Sequence, residues 1–101
     1  MIKVGELERE YIAACVGEGW IPILTDLDTR LQVSDPQASY TQIKEKFGGL
    51  RVYTTGLTDA GYRAIREAES RAYLTCEQCG EPGRLREDRS WSLTLCDTHA
   101  A

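Results

Sequence analysis

The sequence predicts an α+β domain in which N-terminal helices, one β-hairpin and a third helix precede a small C-terminal metal-binding module. Three observations lead to this prediction. Apolar residues recur at helical spacing in the first third of the chain and again around residue 65. A run rich in β-branched and aromatic residues follows two adjacent glycines at positions 48 and 49. Three of the four cysteines and the only histidine lie in two close pairs beyond residue 75.

Length and composition restrict the interpretation before any motif is considered. The 101 residues suit one domain, which we divide into an α+β body (1–75) and a metal-binding module (76–101). Apolar residues make up 42% and charged residues 28%, as in soluble globular proteins. The net charge of −4 disfavours indiscriminate nucleic-acid binding, which depends on cations that neutralise phosphates. Because neither a membrane-spanning run nor a secretory signal is present, we expect a cytoplasmic protein.

Helical periodicity predicts three helices in the body. The first covers about 3–16 and ends at Gly17. The second opens at Pro22, because proline suits the first turn of a helix, and we expect Asp28 to face water on it. The third runs from a Thr58 cap to Tyr73. The expected inward-facing residues are Leu7, Tyr11, Ala14 and Cys15, then Trp20, Leu24, Leu27 and Leu31, and then Tyr62, Ile65, Ala68 and Ala72.

The segment 36–47 is compatible with either a helix or a strand. As a helix, it would present Tyr40, Ile43 and Phe47 as one apolar stripe. As a strand, it would pair with 50–55 across a two-residue turn formed by the adjacent glycines. The second segment needs a partner strand, and the preceding segment is the nearest one. We therefore predict a β-hairpin.

The predicted glycine turn sets a register in which Phe47 faces an inward leucine, Lys46 faces Arg51, and Lys44 faces Tyr53. The outward face then carries Lys44, Lys46, Arg51 and Tyr53. Like charges on directly opposed residues are unfavourable without a counterion. Either acidic side chains of the first two helices neutralise this face within the fold, or the face binds an anionic partner. These four residues are the candidate partner-binding site.

Cys76, Cys79, Cys96 and His99 have the spacing of a metal site. Two residues separate the members of each pair, so one tight turn can aim both donors at a tetrahedral ion. Two short strands predicted between the pairs indicate a zinc ribbon or a shortened treble clef. Four protein ligands leave no open position for an activated water, so we predict one structural Zn²⁺ ion. Disulfides are the alternative, but the spacing favours zinc and leaves Cys15 as a buried thiol.

No catalytic constellation accompanies the predicted metal site. His99 is the only histidine and is already a predicted ligand, which excludes a histidine-dependent nuclease. Glu67 and Glu69 fit a helix surface better than acid–base roles. Cys15 fits the core better than a nucleophile. We therefore expect a protein without enzymatic activity.

The motifs occur in a distinctive combination. Residues 42–53 read Gln-Ile-Lys-Glu-Lys-Phe-Gly-Gly-Leu-Arg-Val-Tyr, and the Cys-Glu-Gln-Cys-Gly and Cys-Asp-Thr-His motifs follow them. This combination, which covers 42–99, resembles a group of small uncharacterised bacterial and phage proteins. The resemblance implies a zinc-binding accessory protein of the kind found on prophages and other mobile elements. It brings no established activity and assigns no catalytic residue.

These observations favour a small zinc-stabilised binding protein that docks on or inhibits a host protein, by analogy with other proteins of mobile elements. The alternative is a nucleic-acid-binding zinc-ribbon protein, in which basic side chains hold phosphates and aromatic ones stack on bases. The side chains available for nucleic-acid binding are Lys44, Lys46, Arg51, Arg84, Arg86, Arg89, Tyr53 and Trp91. The sequence assigns neither the identity of the partner nor the oligomeric state.

Overall fold

The computed structural model describes all 101 residues and has the α+β architecture that the sequence predicts. Three strands form an antiparallel sheet in the order β1-β2-β3, and two more form a separate two-stranded sheet. The elements in chain order are β1 (Ile2–Lys3), α1 (Arg9–Cys15), a 3₁₀ turn (Glu18–Trp20), α2 (Ile21–Ser34), β2 (Ser39–Lys46), β3 (Gly49–Thr54), α3 (Asp59–Ala72), β4 (Arg84–Arg86), β5 (Leu93–Leu95) and α4 (Asp97–Ala100).

The N-terminal helix is shorter than predicted, because residues 2–3 form an edge strand that pairs with β2. Gly5 follows with a φ of 93°, a conformation that interrupts a helix and favours glycine. α1 therefore begins only at Arg9, and its buried residue is Ile12 rather than the predicted Tyr11, which is 38% exposed. The prediction of one helix over 3–16 is wrong, because a strand partner and a left-handed glycine override the apolar periodicity.

Helix α2 begins as predicted, with Pro22 in its first turn. Leu24, Leu27 and Leu31 are buried along one side. Asp28, which we expected to face water, is also buried. Its carboxylate accepts hydrogen bonds from the Gly5 N–H, the Gln32 amide and the Tyr40 hydroxyl. These bonds replace the lost hydration and join the N-terminal segment, α2 and β2.

Residues 39–46 form a strand rather than a helix, which confirms the predicted hairpin. The pairing between β2 and β3 shifts between Tyr40 and Gln42, which leaves Thr41 as an extra residue in the strand. Because of this bulge, Tyr40 and Ile43 both point into the core although three positions separate them. The same spacing makes the segment resemble a helix in the sequence.

The hairpin register differs from the predicted one. Lys46 pairs with Gly49 and Lys44 with Arg51, so the two turn residues are Phe47 and Gly48 instead of the two glycines. Phe47 has a φ of 54° and lies 69% exposed at the turn, not inward as predicted. Two positive φ angles in a two-residue turn match the right-handed twist of the strands.

One face of the three-stranded sheet packs against the helices and the other faces outward. Val52 and Leu50 of β3 belong to the main core together with Ile65 of α3. α3 begins at the predicted Thr58 cap, whose side chain accepts the Gly61 N–H at 3.2 Å. Tyr62, expected to face inward, is 44% exposed. No helix in the chain has the length and apolar character required to cross a membrane.

Candidate metal centre

The four predicted ligands converge at one point although the first and the last lie 23 positions apart in the chain. Cys76 and Cys79 lie in a tight turn, where the Gly80 N–H donates to the Cys76 carbonyl at 2.9 Å. Gly80 has a φ of 83°, which turns the chain away after the second cysteine. Cys96 and His99 come from the start and the first turn of α4, which follows β5 directly. The first residue of β4 pairs with the last residue of β5, so the two ligand turns lie together at one end of the small sheet.

The distances between the donor atoms fit a tetrahedral ion. With metal–sulfur bonds of about 2.3 Å, the ligand atoms of a tetrahedral zinc lie about 3.8 Å apart. Cys79 Sγ and Cys96 Sγ are 3.7 Å apart, and Cys76 Sγ lies 3.6 Å from His99 Nδ1. All four donor atoms lie within 4.8 Å of one another. The cluster can hold one metal ion, and four ligands complete its coordination without a solvent molecule.

The electrostatics of the cysteines also favour a cation. Burial by itself raises the pKa of the Cys76 thiol. Its sulfur, however, accepts backbone N–H groups of Cys96, Cys79 and Gln78, and these hydrogen bonds lower the pKa to about 6. The thiolate form is the one that binds metals. Three sulfurs so close together repel one another when ionised, and a divalent cation relieves that repulsion.

The first ligand turn is packed tightly against the 3₁₀ turn that precedes α2. The Gly19 N–H donates to the carbonyl of Glu77 at 2.9 Å, and the indole N–H of the buried Trp20 donates to that of Thr75 at 2.9 Å. A Cβ atom on Gly19 would overlap the Cys76 carbonyl and lie 2.6 Å from the Gly80 nitrogen. The local pattern predicts only that Gly17 ends a helix. The absence of side chains at Gly17 and Gly19 also lets the metal-binding module approach the body.

The second contact between module and body lies at the hairpin turn. The Thr94 hydroxyl, fully buried, donates to the carbonyl of Gly48 at 2.7 Å. The Thr94 N–H donates to the carboxylate of Glu77 at 2.9 Å, and burial raises the pKa of that carboxyl group. The roles of Glu77 and Thr94 could not be predicted from the sequence, because nothing in their local spacing marks them. They connect the ligand turn, β5 and the hairpin into one unit.

The structure places the predicted partner-binding residues together on the outward face of the sheet. Lys44 and Arg51 are directly opposite each other, while Tyr53 faces Gln42 and not the predicted lysine. Four ion pairs form in the structure, and none of them involves Lys44, Lys46 or Arg51. The predicted pairing of this face with acidic side chains of the first two helices is therefore not formed. The charge of this face is left without a counterion inside the fold.

The basic residues of the module behave differently. Arg86 donates to the Leu95 carbonyl and pairs with Asp97 at 2.8 Å. Arg89 donates to the Ala100 carbonyl at 2.7 Å. Both guanidinium groups thus hold α4 against the small sheet. Arg84 forms no ion pair, and Trp91 is 68% exposed in the loop between β4 and β5.

The carboxylates that we assigned to the helix surface have structural partners. Glu67 pairs with Arg30 across α2 and α3. Glu69 accepts the Val52 N–H at 3.1 Å, on the edge of β3 that β2 does not cover. Such a contact protects a sheet edge from further strand pairing.

Fold and site together define an α+β protein with a Cys₃His cluster suited to one metal ion. No protein-family model, curated protein or solved structure matches the chain.

Proposed function

We propose that the protein is a small zinc-stabilised binding protein without catalytic chemistry of its own. Its C-terminal module would be a shortened treble clef, in which a ligand turn and the first turn of a helix flank a two-stranded sheet. Three thiolates and one imidazole are donors that zinc prefers, and the closed ligand set assigns the ion a structural role. When bound, the ion supplies cross-linking of residues 76–99 and no activation of water.

The size of the free energy of zinc binding supports this structural role. Apparent zinc affinities of about 10–16 kcal/mol for small Cys/His modules rival the whole stability of a domain, about 5–15 kcal/mol. The core of the module contains only Cys76, Leu95 and Cys96 as buried members, compared with 18 buried residues in the main cluster. So small a core cannot hold the module together by apolar burial alone. Removal of the metal is expected to unfold 76–101.

Metal analysis tests the structural role of the zinc ion. The purified chain should contain one zinc ion, and X-ray absorption should show three sulfur ligands and one nitrogen ligand. Cys15→Ser, at a cysteine outside the cluster, should keep the zinc, whereas Cys96→Ser should lose it. Chelation should abolish the protection of the 76–101 amides from hydrogen exchange. A water oxygen on the ion, or unchanged protection after chelation, would contradict the structural role.

The binding role is inferred from the basic side chains on the outward face of the sheet. Lys44 and Arg51 lie directly opposite each other without an acidic partner, an arrangement that disfavours the isolated sheet. An anionic partner that covers the face would remove this cost. In the mobile-element setting that the resemblance suggests, the partner would be a host protein that the chain docks on or inhibits.

Charge reversal on two faces tests the docking role. Lys44→Glu with Arg51→Glu should abolish capture of the partner from a bacterial lysate. Arg63→Glu with Arg66→Glu is the matched control, because both arginines are exposed on α3 and form no ion pair. Equal capture by both double variants would refute docking through the sheet.

A further inference from the structure

We propose that the outward face of the sheet binds a single-stranded nucleic acid, with phosphates beside the basic side chains and bases against Tyr53 and Phe47. The proposal rests on the binding role proposed above for this face, and it assigns the face a nucleic acid in place of a host protein. It selects one partner chemistry for the same face.

The face is uniformly basic. Strand residues alternate between the two sides of a sheet, so the residues that alternate with the buried Ile43, Leu50 and Val52 point outward. No acidic residue is among them, because Glu45 lies on the inward side and accepts the Gly48 N–H at 2.6 Å. We refer to these outward residues as the sheet face. They are Lys3 of β1, Ser39, Gln42, Lys44 and Lys46 of β2, and Arg51 and Tyr53 of β3.

Charge is segregated between this face and the opposite layer. The helical segments 5–35 and 56–75 contain ten acidic and only five basic residues. The net charge of −4 therefore says little about the local potential at the sheet face. A polyanion is repelled by the helical layer and attracted to the sheet. This asymmetry would orient an approaching strand and keep it on one side of the molecule.

Two exposed aromatic rings accompany the cations. Tyr53 lies 47% exposed in β3, two residues from Arg51. Phe47 occupies a left-handed turn position that asparagine and glycine prefer, and the residue is 69% exposed. A bulky residue in this conformation is strained, and such strain is often kept at binding sites. The Lys46 ammonium lies 5.5 Å from the centre of the Phe47 ring, so a cation and a stacking surface coincide.

The chemistry of the face favours a nucleic acid over an acidic protein. Protein interfaces have an apolar centre and are depleted in lysine, whereas the sheet face has three lysines and no aliphatic side chain. Single-stranded nucleic acids are bound by basic side chains at the phosphates and aromatic rings at the bases, and the sheet face has both. The eight residues of β2 span about 26 Å at 3.3 Å per residue. That length suits a short single strand, since an OB fold holds about four nucleotides or more.

An exposed sheet face with aromatic rings also selects single strands over duplexes. In a duplex the bases are stacked inside the helix, and neither Tyr53 nor Phe47 could reach a base face. In a single strand the bases are free to rotate onto the rings. The expected sequence preference is weak, because every base has a π face and the basic side chains contact only phosphates.

Fluorescence anisotropy with the zinc-loaded full chain tests the proposal. The probes are fluorescein-labelled oligo-dT and oligo-U of about 12 nucleotides, within the range that such surfaces cover, and a duplex of equal length. Both single strands should bind at about 50 mM salt and weaken by 200 mM, with a logarithmic slope of about −2 to −3 for three or four phosphate contacts. The duplex should bind at least tenfold more weakly.

Two matched pairs of variants locate the site. Lys44→Glu with Arg51→Glu should weaken binding by at least tenfold, while Arg63→Glu with Arg66→Glu, which changes the net charge equally, should stay within twofold. Tyr53→Ala should weaken binding by about 5-fold to 150-fold, the range of one stacked base. Tyr53→Phe keeps the ring and should bind like the parent protein. Circular dichroism of each variant checks that the fold persists.

The outcomes separate this proposal from the broader binding role. If neither single strand binds at about 50 mM salt, or if the control pair weakens binding as much as the sheet pair, the nucleic-acid proposal is overturned. A glutamate-rich peptide is the discriminating probe. If that peptide binds, depends on Lys44 and Arg51, and the oligonucleotides do not bind, the partner is an acidic protein and the docking role stands. If no polyanion binds, the docking role fails as well.

Discussion

Asp28 offers the sharpest test of how the body is held together. Its buried carboxylate accepts the Tyr40 hydroxyl at 2.5 Å and the Gly5 N–H at 3.1 Å, and no basic side chain pairs with it. Burial raises the pKa of Tyr40 above its ordinary value, and the hydrogen bond to Asp28 adds to this effect, so the hydroxyl stays a donor. Asp28→Ala would leave that buried hydroxyl without an acceptor.

The expected loss follows from these contacts. A hydrogen bond to a charged group contributes about 1.5–3 kcal/mol, and the backbone N–H bond about 1 kcal/mol. Asp28→Ala should therefore lower the free energy of unfolding by about 3 kcal/mol. For a domain of this size that corresponds to a decrease in Tm of about 12–24 °C. The amide of Asp28→Asn keeps one acceptor, so its loss should be smaller, about 1–2 kcal/mol.

Urea denaturation of the zinc-loaded protein measures these differences. Asp26→Ala is the matched control, because Asp26 lies on the same helix but its exposed carboxylate only pairs with Arg71. Exposed pairs contribute at most about 1 kcal/mol. Combining Asp28→Ala with Tyr40→Phe should cost at least about 1 kcal/mol less than the sum of the single losses. Equal losses for the two aspartates, or strict additivity with Tyr40→Phe, would refute the buried network.

Three further predictions concern the module and the caps. Thr94→Val removes the donor to the Gly48 carbonyl and should lower the unfolding free energy in urea by about 1–2 kcal/mol, with Thr94→Ser keeping the hydrogen bond as control. Gly19→Ala places a methyl group against the first ligand turn. This variant should lower the free energy of unfolding by about 1–3 kcal/mol and lose zinc more easily in competition with a chelator. Gly56→Ala, which places its methyl group in open space, should do neither. The hydrogen bond from the Thr58 N–H lowers the pKa of Asp35 in the folded protein. The ionised carboxylate therefore stabilises the fold above its ordinary pKa of 3.8, and this contribution is lost as the pH falls below that value. In Asp35→Asn, the free energy of unfolding measured against pH should fall less steeply on the acid side.

Local spacing was sufficient for the ligand set and for α3. Cys76 and Cys79 need only one turn to meet, as do Cys96 and His99, so four sequence positions predict a cluster that the structure then assembles. The Thr58 cap works in the same way, since its partner lies three residues away. Signals of this kind are short-range, and they agree with the fold without depending on distant parts of the chain.

The register of the hairpin could not be obtained in this way. The predicted and observed registers both keep Ile43, Leu50 and Val52 on one face, so the apolar pattern cannot distinguish them. What distinguishes them lies elsewhere in the chain. Gly48 binds Thr94 of the module, and a Cβ on Gly49 would overlap Tyr73 of the body. Phe47 is therefore placed in the turn by contacts that no local pattern contains.

By itself, then, the sequence determined the α+β class, the hairpin and the four side chains of the candidate metal centre, because each signal depends on neighbours a few residues away. Only the tertiary structure decided the burial of Asp28, the bulge at Thr41 and the close approach of the module to the 3₁₀ turn. Those features depend on atoms that are distant in the chain and share a small volume, where the loss of solvent and the need for hydrogen-bond partners select among locally equivalent patterns.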